Sequence, residues 1–566
     1  MTFRFSRQGL TDREAALERL FEILPGATSW AILLGMLGLS FWKPILAAVL
    51  VIAFDLYWLL RLFYMTLFLI LSSLRLSLEQ GTDWMARVRG LDHLGAYLQE
   101  LRHNAGRASL RQRLSRWVHR RQLEAFVRSG LTLPASEALC HLVIFTVANE
   151  SCEILQAGLE SLLRQRLPPE RILVVLAVEE RVDRTVRAGL RDVQSQYRQR
   201  FLDFLVVIHP DGLPGEARVK GANATYAAKA AGAYFNTKGI SCENVIVSCF
   251  DADTVVSPDY FSCLTYAFMT CPERTRASFQ PIPVYHNNIW DVPGFARVLD
   301  IGSSFFQLIE ATNPEKLVTF SSHSMSFKAL VEVGYWPVDM ISDDSAICWK
   351  AFIHFDGRYR VVPLYVTLSM DVAAAGSWWQ AAANVYRQKR RWAWGVENFP
   401  LVMRAFLNAD RIPFSVKLRH GFKLFENHVS WATSAFLLSV IGWFPALFAG
   451  REFSNSVLYY SAPRMTAAIF HLASLALLAT IVLSLCLLPR SRTSHPILKR
   501  IGHAVEWLLI PFFATFFSAL PALDAQTRLM LGRYMEFWVA GKRRNTLGKR
   551  WSLSVEKKPR MMSMKV

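Results

Sequence analysis

Cysteine is scarce in this chain of 566 residues, and none of its eight cysteines forms a Cys-x-x-Cys pair. Several of them lie within apolar runs of strand length, which favours reduced and packed thiols. Because reduced thiols are typical of the cytosol, we expect the water-soluble part of the chain to face it. A small-residue cleavage site is also missing after the first apolar segment, so we do not expect that segment to be a signal peptide.

Acidic residues are few relative to basic ones, since 45 Asp and Glu stand against 64 Lys and Arg and leave a formal net charge of +19. Such an excess suits either the phosphates of a nucleic acid or an anionic membrane surface. Much of it lies beside apolar runs, notably at 102–121, 490–500 and 542–565, so we expect a lipid bilayer and no nucleic acid as the partner. An RNA-binding helix at 110–123 stays an alternative that rests on charge alone, because no signature of an RNA-binding module accompanies it.

Apolar residues make up 52% of the chain and the mean hydropathy is +0.21. This balance fits a water-soluble domain combined with several membrane spans. The expected spans are 26–42, 45–74, 429–449 and 465–488. A further apolar run at 504–523 contains Pro511 and Pro521. Because proline bends a helix, we expect this run to be re-entrant or to lie at the membrane interface.

The positive-inside rule places both termini and the water-soluble domain in the cytosol, and we expect the chain to reside in the inner (plasma) membrane. Within the N-terminal segment, Thr11 and Glu14 match a capping box, and apolar residues recur there with helical spacing, at Leu17, Leu20, Phe21 and Leu24. The expected order is a cytosolic amphipathic segment (1–25), two transmembrane helices (26–75), a basic helical linker (76–138), an α/β domain (139–400), interfacial helices (401–427), a membrane region (428–523) and a cytosolic basic tail (524–566).

The α/β assignment rests on apolar runs of strand length that alternate with helical stretches. The runs lie at 142–147, 172–178, 204–208 and 244–250. Continuous apolar strands separated by helices indicate a parallel sheet that is covered on both faces. Such a sheet binds ligands beyond the carboxyl ends of its strands, and the fourth run ends there in Asp251-Ala252-Asp253.

Carboxylates in two places carry candidate chemistry. Asp251 and Asp253 can share one Mg²⁺ or Mn²⁺, which takes carboxylate ligands together with substrate phosphates. A chance pair in a turn is the alternative. Further along, Asp343 and Asp344 precede a helical stretch, where one carboxylate can deprotonate an attacking hydroxyl as a general base. Capping of the helix N-terminus is the alternative for that second pair.

The stretch "YRQKRRWAWG" brings three functional side chains to one helix face. Gln388, Arg391 and Trp392 stand at i, i+3 and i+4. An indole offers a stacking platform for a sugar ring, and an arginine offers a planar fork for phosphate oxygens. A basic helix at the membrane surface with an interfacial tryptophan is the alternative.

Taken in order with "FWVAGK" near the C-terminus, these motifs resemble the membrane-bound, inverting family 2 glycosyltransferases, the group that includes cellulose, hyaluronan and chitin synthases. The resemblance covers about residues 140–400. It implies a GT-A-like, Rossmann-related α/β domain that binds a nucleotide sugar in the cytosol and is inserted between transmembrane helices. The implied reaction moves a sugar from that donor, with a UDP-sugar favoured, to an acceptor hydroxyl with inversion.

The resemblance also implies a role for each matching residue. Asp344 would be the catalytic base, and Asp251 and Asp253 would hold Mg²⁺ or Mn²⁺. The donor and its diphosphate would be bound by Asn149, Glu150, Glu179, Lys220, Asp251, Gln388 and Arg391. The acceptor would meet Asp343, Trp392 and His323. Packing alone is the alternative for His323. The segment with Phe537, Val539 and Lys542 is similar to a gating loop, except that Ala540 replaces a threonine.

Two alternatives stay open for the function. A processive polysaccharide synthase is favoured by the Gln-x-x-Arg-Trp motif, whereas a single transfer to a lipid-linked acceptor is favoured by the small number of spans. Because four spans are few for a polymer channel, membrane partner subunits are possible. A different class is a non-catalytic component of membrane assembly or export, and the presence of all the chemical residues argues against it.

Overall fold

Two long helices open the described part of the chain. The computed structural model describes residues 5–7, 9–103, 110–130, 132–148, 150–448, 457–489 and 496–536. Helix α1 spans Asp12–Trp42 and helix α2 spans Pro44–Glu79. The capping box is confirmed, because the Thr11 hydroxyl accepts a hydrogen bond from the Glu14 backbone N–H and the Glu14 carboxylate accepts one from that of Thr11.

Helix α1 runs without interruption into the segment 26–42, where the sequence suggested a separate span. Two residues of the predicted apolar face in its first half, Leu20 and Leu24, are 56% and 40% exposed. Glu18 is buried, and its carboxylate lies 2.9 Å from Nε of Arg404. A buried carboxylate is stable when it is paired, and helical spacing alone does not reveal a distant partner.

A mixed sheet of eight strands forms the centre of the α/β domain, with the spatial order β3-β2-β1-β4-β7-β6-β8-β5. Three short helices precede it: α3 (Trp84–Asp92), α4 (Leu94–His103) and α5 (Leu110–Arg128). Its strands are β1 (Cys140–Val147), β2 (Ile172–Glu179), β3 (Asp203–His209), β4 (Val245–Asp251), β5 (Val255–Val256), β6 (Ala277–Val284), β7 (Ser324–Ser326) and β8 (Arg360–Ser369).

The four strands read from the sequence are confirmed, and β1 to β4 pair in parallel. The other half of the sheet was missed. Strand β7 runs antiparallel to both β4 and β6, so the sheet is mixed rather than purely parallel. Strand β7 has three residues, too few to show a hydrophobic period, and β6 contains two prolines, which are rare inside strands.

Helices cover both faces of the sheet. They are α6 (Cys152–Leu163), α7 (Arg184–Tyr197), α8 (Lys220–Thr237), α9 (Tyr260–Thr270), α10 (Gly294–Glu310), α11 (Phe327–Glu332), α12 (Asp343–His354), α13 (Trp378–Ala393) and α14 (Asn398–Asn408). Alternate residues of β1 enter two different cores: Val143 packs in the cluster that contains α6 and α9, and Ile144 in the one that contains α8. Because both faces of these strands are buried, a ligand can reach them only at the ends of the strands.

The C-terminal helices follow the α/β domain in the sequence. They are α15 (Phe414–Ser439), α16 (Phe444–Leu447), α17 (Val457–Leu487), α18 (Pro496–Glu506), α19 (Ile510–Ala514) and α20 (Leu520–Met530). A π-helical turn at Thr515–Ala519 joins the last two. Where a span was expected at 429–449, the chain bends by 44° between Phe414–Ser439 and Ile441–Leu447.

Among the described residues, four helices are long and apolar enough to cross a membrane, or five if the bent pair is one span. They are Asp12–Trp42, Pro44–Glu79, Ala467–Leu487 and Ile497–Met530, with a mean hydropathy of 1.6 to 2.3 over their most apolar windows. This composition marks a membrane-associated protein. The fourth helix includes the run at 504–523 and both of its prolines, so its length alone does not distinguish a crossing from a re-entrant path.

Candidate active site

Asp251 is the last residue of β4, at the edge of the sheet where ligands are expected. Its Oδ2 accepts a hydrogen bond of 2.5 Å from the Ser321 hydroxyl, and its backbone N–H donates to Oγ of Ser322 at 3.3 Å. Ser322 has a φ of 61°, a left-handed conformation that is unusual for serine. This strained turn, which leads into β7, orients the Asp251 carboxylate. Its two serines were missed, although they stand directly before His323 in the sequence.

Asp253 is held where the ends of β4 and β8 meet. Its side chain is buried, and its Oδ2 accepts a hydrogen bond of 2.8 Å from the backbone N–H of Asp371, two residues past β8. The Asn287 amide donates to the Asp253 backbone carbonyl at 3.0 Å. The two carboxylates that were predicted to hold a metal are therefore both fixed at the same edge of the sheet. Asp371 and Asn287 carried no recognisable signal in the sequence.

Lys220 joins two of the predicted site carboxylates. Its ammonium lies 2.9 Å from Oδ1 of Asp251 and 3.0 Å from Oδ1 of Asp344, and the side chain is only 8% exposed. Burial alone would lower the pKa of this lysine, but the two carboxylates outweigh burial and raise it well above its ordinary value. One permanent cation thus brings together residues from β4, α8 and α12 that are far apart in the sequence.

Asp343 and Asp344 form the first turn of α12, but the N-cap position belongs to Ser342. Burial raises the pKa of the Asp343 carboxyl well above its usual range, and the neighbouring Asp344 carboxylate raises it further, while Lys220 and Arg391 only partly offset this. Its surroundings therefore favour the protonated form of Asp343. The Asp344 side chain is 22% exposed and binds Lys220 through both of its oxygens.

His323 lies behind Asp344, with 3.8 Å between its Nδ1 and the Asp344 carboxylate. The nearer partner of Nδ1 is the carbonyl of Phe320 at 3.0 Å, so the proton is assigned to Nδ1. Burial lowers the pKa of this histidine, with only partial opposition from Asp344. The ring is thus neutral, and its buried Nε2 has no hydrogen-bond partner among the described residues. That nitrogen is a potential acceptor at the edge of the site.

Helix α13 carries the predicted group of Gln388, Arg391 and Trp392. Gln388 is 5% exposed, and its Oε1 has no hydrogen-bond partner within the described chain. The ammonium of Lys389 lies 3.9 Å from the centre of the Trp392 ring, and it also lies 2.8 Å from Oδ1 of Asp300 on α10. The buried Lys389–Asp300 pair therefore fixes α13 against α10. The Lys389 ammonium also packs against one face of the Trp392 indole.

Other predicted donor residues are placed less closely. Glu150 folds back to accept a hydrogen bond of 2.8 Å from the backbone N–H of Ala148. Glu179 ends β2, pairs with Arg181 and lines a cavity of about 100 Å³ that also borders His209. The remaining predicted site residues, Asn149, Phe537, Val539 and Lys542, lie outside the described residues.

The candidate metal ligands in this site are the carboxylates of Asp251 and Asp253. In the ranges that the structure describes, no group of three or more His, Cys, Asp or Glu side chains is placed to hold a metal ion. Asp251 and Asp253 are hard oxygen ligands at one edge of the sheet, which suits Mg²⁺ or Mn²⁺ bound mainly through substrate phosphates and water. These two carboxylates therefore fit a divalent ion that also binds substrate phosphates.

Comparison with known proteins gives a match that includes Asp251, Asp253 and Asp344 but not Lys220. Residues 246–490 match the protein family described as glycosyl transferase family group 2. Over 153 residues the chain is 29% identical to poly-beta-1,6-N-acetyl-D-glucosamine synthase from Staphylococcus aureus strain COL, which covers 26% of this chain and 34% of that protein. The same values hold for the enzyme of strain N315. The chain thus spans about a third of the length of the curated relatives that it matches.

Two solved structures are similar to this chain at low sequence identity. Mannosyltransferase PcManGT from Pyrobaculum calidifontis, in complex with GDP-Man and Mn²⁺, is 14% identical with a TM-score of 0.38, covering 78% of this chain and 99% of that one. Residues 1–349 of TarS from S. aureus are 15% identical with a TM-score of 0.34, covering 70% of this chain and 93% of that one.

Proposed function

Since the chain contains a family 2 glycosyltransferase domain and is similar to a polysaccharide synthase, we propose that it transfers a sugar from a nucleotide-sugar donor to an acceptor hydroxyl with inversion, in polysaccharide synthesis. The observation that carries this proposal is the contact of Lys220 with both Asp251 and Asp344. Transfer needs a site for the leaving diphosphate beside a base for the attacking hydroxyl. The carboxylates of Asp251 and Asp344 meet that need, because the ammonium of Lys220 contacts both and holds them close together.

Asp344 is proposed as the base that takes the proton of the acceptor hydroxyl. It is the partly exposed member of its pair, whereas Asp343 is buried in surroundings that raise its pKa and favour its protonated form. The buried Nε2 of His323 and the amide of Gln388 have hydrogen-bonding capacity to spare for sugar hydroxyls. Trp392, braced by Lys389, supplies a flat surface for a sugar ring.

Asp251 and Asp253 are proposed to hold Mg²⁺ or Mn²⁺ together with the donor diphosphate. When bound, the ion would offset the negative charge of the departing nucleoside diphosphate. In the structure Lys220 neutralises Asp251 and Asp344. Donor binding therefore has to redistribute this lysine between carboxylates and phosphate, a task that suits an ammonium on a flexible stem. Lys220 is in this way a donor-binding residue, as the family resemblance implies.

The function is tested by presenting labelled nucleotide sugars to native membranes that contain the full chain. UDP-N-acetylglucosamine is the first donor to try, because the curated relative is a poly-N-acetylglucosamine synthase. We expect a product of high molecular mass that is absent with the Asp344→Asn chain. A short, solvent-extractable product would instead establish single transfer to a lipid-linked acceptor. If the purified chain, with or without membranes, neither transfers nor hydrolyses any nucleotide sugar, a non-catalytic assembly role replaces this proposal.

We propose that the catalytic domain and both termini are cytosolic and that the chain lies in the inner membrane. The positive-inside rule supports this arrangement, because nine Lys and Arg residues occupy the last 25 positions. In cells carrying Arg560→Cys in a Cys486→Ser background, residue 560 should resist a membrane-impermeant thiol reagent. Glu452→Cys, in the turn expected outside, is the matched control and should be labelled. Ready labelling at 560 would overturn the topology and the role of 537–542 as a gating loop.

A further inference from the structure

An open groove lies along α13. Its volume is about 750 Å³, in the range of sites that bind small organic molecules. Trp379 and Ala383 line it from α13, and Phe512 and Phe516 line it from the opposite wall, formed by α19 and the π-helical turn. These side chains are aromatic or aliphatic, so the groove suits an apolar ligand.

The groove and the candidate active site use opposite faces of α13. With 3.6 residues per turn, Trp379, Ala383 and Arg387 follow one another along one face, whereas Gln388 and Trp392 follow one another along the other. Exposure agrees with this division, because Trp379 is 78% exposed and Gln388 is 5% exposed. The helix itself therefore separates a ligand in the groove from the reacting centre. This arrangement argues against the sugar acceptor as the occupant.

The far wall of the groove belongs to a membrane helix. Phe512 and Phe516 lie within Ile497–Met530, one of the four candidate spans, and they are 53% and 44% exposed. Leu508 and Leu509 extend the same exposed apolar surface by one turn. Exposed apolar residues on a membrane helix face lipid, so the groove opens onto lipid rather than onto bulk water. The π-helical turn beside it is a feature often found at functional sites.

The rim of the groove carries positive charge. Arg387 lines it and is exposed. Arg390 lies one helical turn further along α13 and donates a hydrogen bond of 2.9 Å to the Asp524 carboxylate. A guanidinium at the mouth of an apolar groove is complementary to a molecule with a phosphate at one end and a hydrocarbon chain at the other. The positive charge of Arg387 beside the Arg390–Asp524 pair favours an anionic lipid over a zwitterionic one.

We propose that this groove binds one anionic phospholipid of the surrounding bilayer, with an acyl chain between Trp379 and Phe516 and the phosphate on Arg387. The bound lipid braces α13 from the face opposite Gln388 and Trp392. The proposal does not depend on which sugar the chain transfers. It stands on the groove, the membrane helix that forms its wall and the charge at its rim.

The test uses the full chain, purified in detergent and stripped of lipid, and native mass spectrometry during titration with phosphatidylglycerol. We expect one phosphatidylglycerol to bind about tenfold more tightly than phosphatidylcholine. Arg387→Gln should remove that preference, and Ala383→Trp, which fills the groove, should abolish the tight site. Arg419→Gln, which removes an exposed arginine paired with Glu315 elsewhere, is the control and should bind as the unmodified chain does.

Competing ligands separate the sources of the phosphate. Inorganic phosphate at millimolar concentration should not displace the lipid, because it lacks the chain that fills the groove. Unchanged phosphatidylglycerol binding by both variants would overturn the proposal, as would displacement by inorganic phosphate alone. Tighter binding of a prenyl-phosphate sugar than of phosphatidylglycerol, lost in Ala383→Trp, would assign the groove to a lipid-linked acceptor and would also overturn it. Because Arg387 is exposed, its replacement tests the site even if Ala383→Trp does not fold.

Discussion

Replacing Asp344 with asparagine should lower the rate of sugar transfer by roughly 10²–10⁴, the contribution of one general base. The amide keeps the shape of the side chain but cannot accept the proton of the attacking hydroxyl. Donor binding should persist, because Lys220 still meets Asp251 at 2.9 Å. The measurement pairs single-turnover transfer of a labelled nucleotide sugar with equilibrium binding of the same donor.

Asp343→Asn is the matched control for that result. Asp343 is adjacent in the chain, but its carboxyl is buried and its pKa is raised well above the usual range, which favours the protonated form. An amide therefore resembles the native group, and the loss of rate should be much smaller than for Asp344→Asn. Near-normal turnover by Asp344→Asn would remove Asp344 from the mechanism. A larger loss from Asp343→Asn than from Asp344→Asn would reverse the roles given to the two residues.

Removing divalent metal should abolish transfer, and Asp253→Asn should weaken the binding of both metal and nucleotide. In the unmodified chain the Asp371 backbone N–H donates to Asp253 at 2.8 Å, and the amide oxygen of asparagine can still accept this hydrogen bond. The substitution should therefore preserve the fold and remove only the negative charge. Loss of a direct ligand should exceed the ~10–100-fold loss of metal affinity that follows removal of an outer partner. Nucleotide binding with and without Mn²⁺, measured by calorimetry, reports this independently of activity.

Asp356→Asn is the control for the metal prediction. Asp356 lies in a left-handed turn with a φ of 53°, which asparagine tolerates, and it pairs with the exposed Arg411. Its replacement removes one negative charge far from the carboxyl edge of the sheet and should leave metal binding unchanged. If nucleotide binds the unmodified chain equally well in EDTA and in Mg²⁺, the metal role of Asp251 and Asp253 fails.

The parallel half of the sheet was predictable because its strands are buried on both faces and read as continuous apolar runs. The resemblance drawn from the ordered motifs is confirmed by the family match over 246–490. Motifs at strand ends are visible for the same reason, since a carboxylate that follows an apolar run breaks the pattern. Asp251 and Asp253 were found in this way, whereas Asp344 was found because it precedes a helical stretch. Their individual roles in the reaction stay predictions.

The sequence by itself thus determined the parallel strands, the candidate membrane helices and the order of the functional motifs, because each depends on residues close together in the chain. The tertiary structure alone decided the antiparallel β7, the burial of Glu18 against Arg404 and the pairing of Lys389 with Asp300. It also decided that Lys220 lies between Asp251 and Asp344. Each of these is a pairing of charges or strands that local periodicity does not encode, because the partner that stabilises a buried polar group is distant in the sequence.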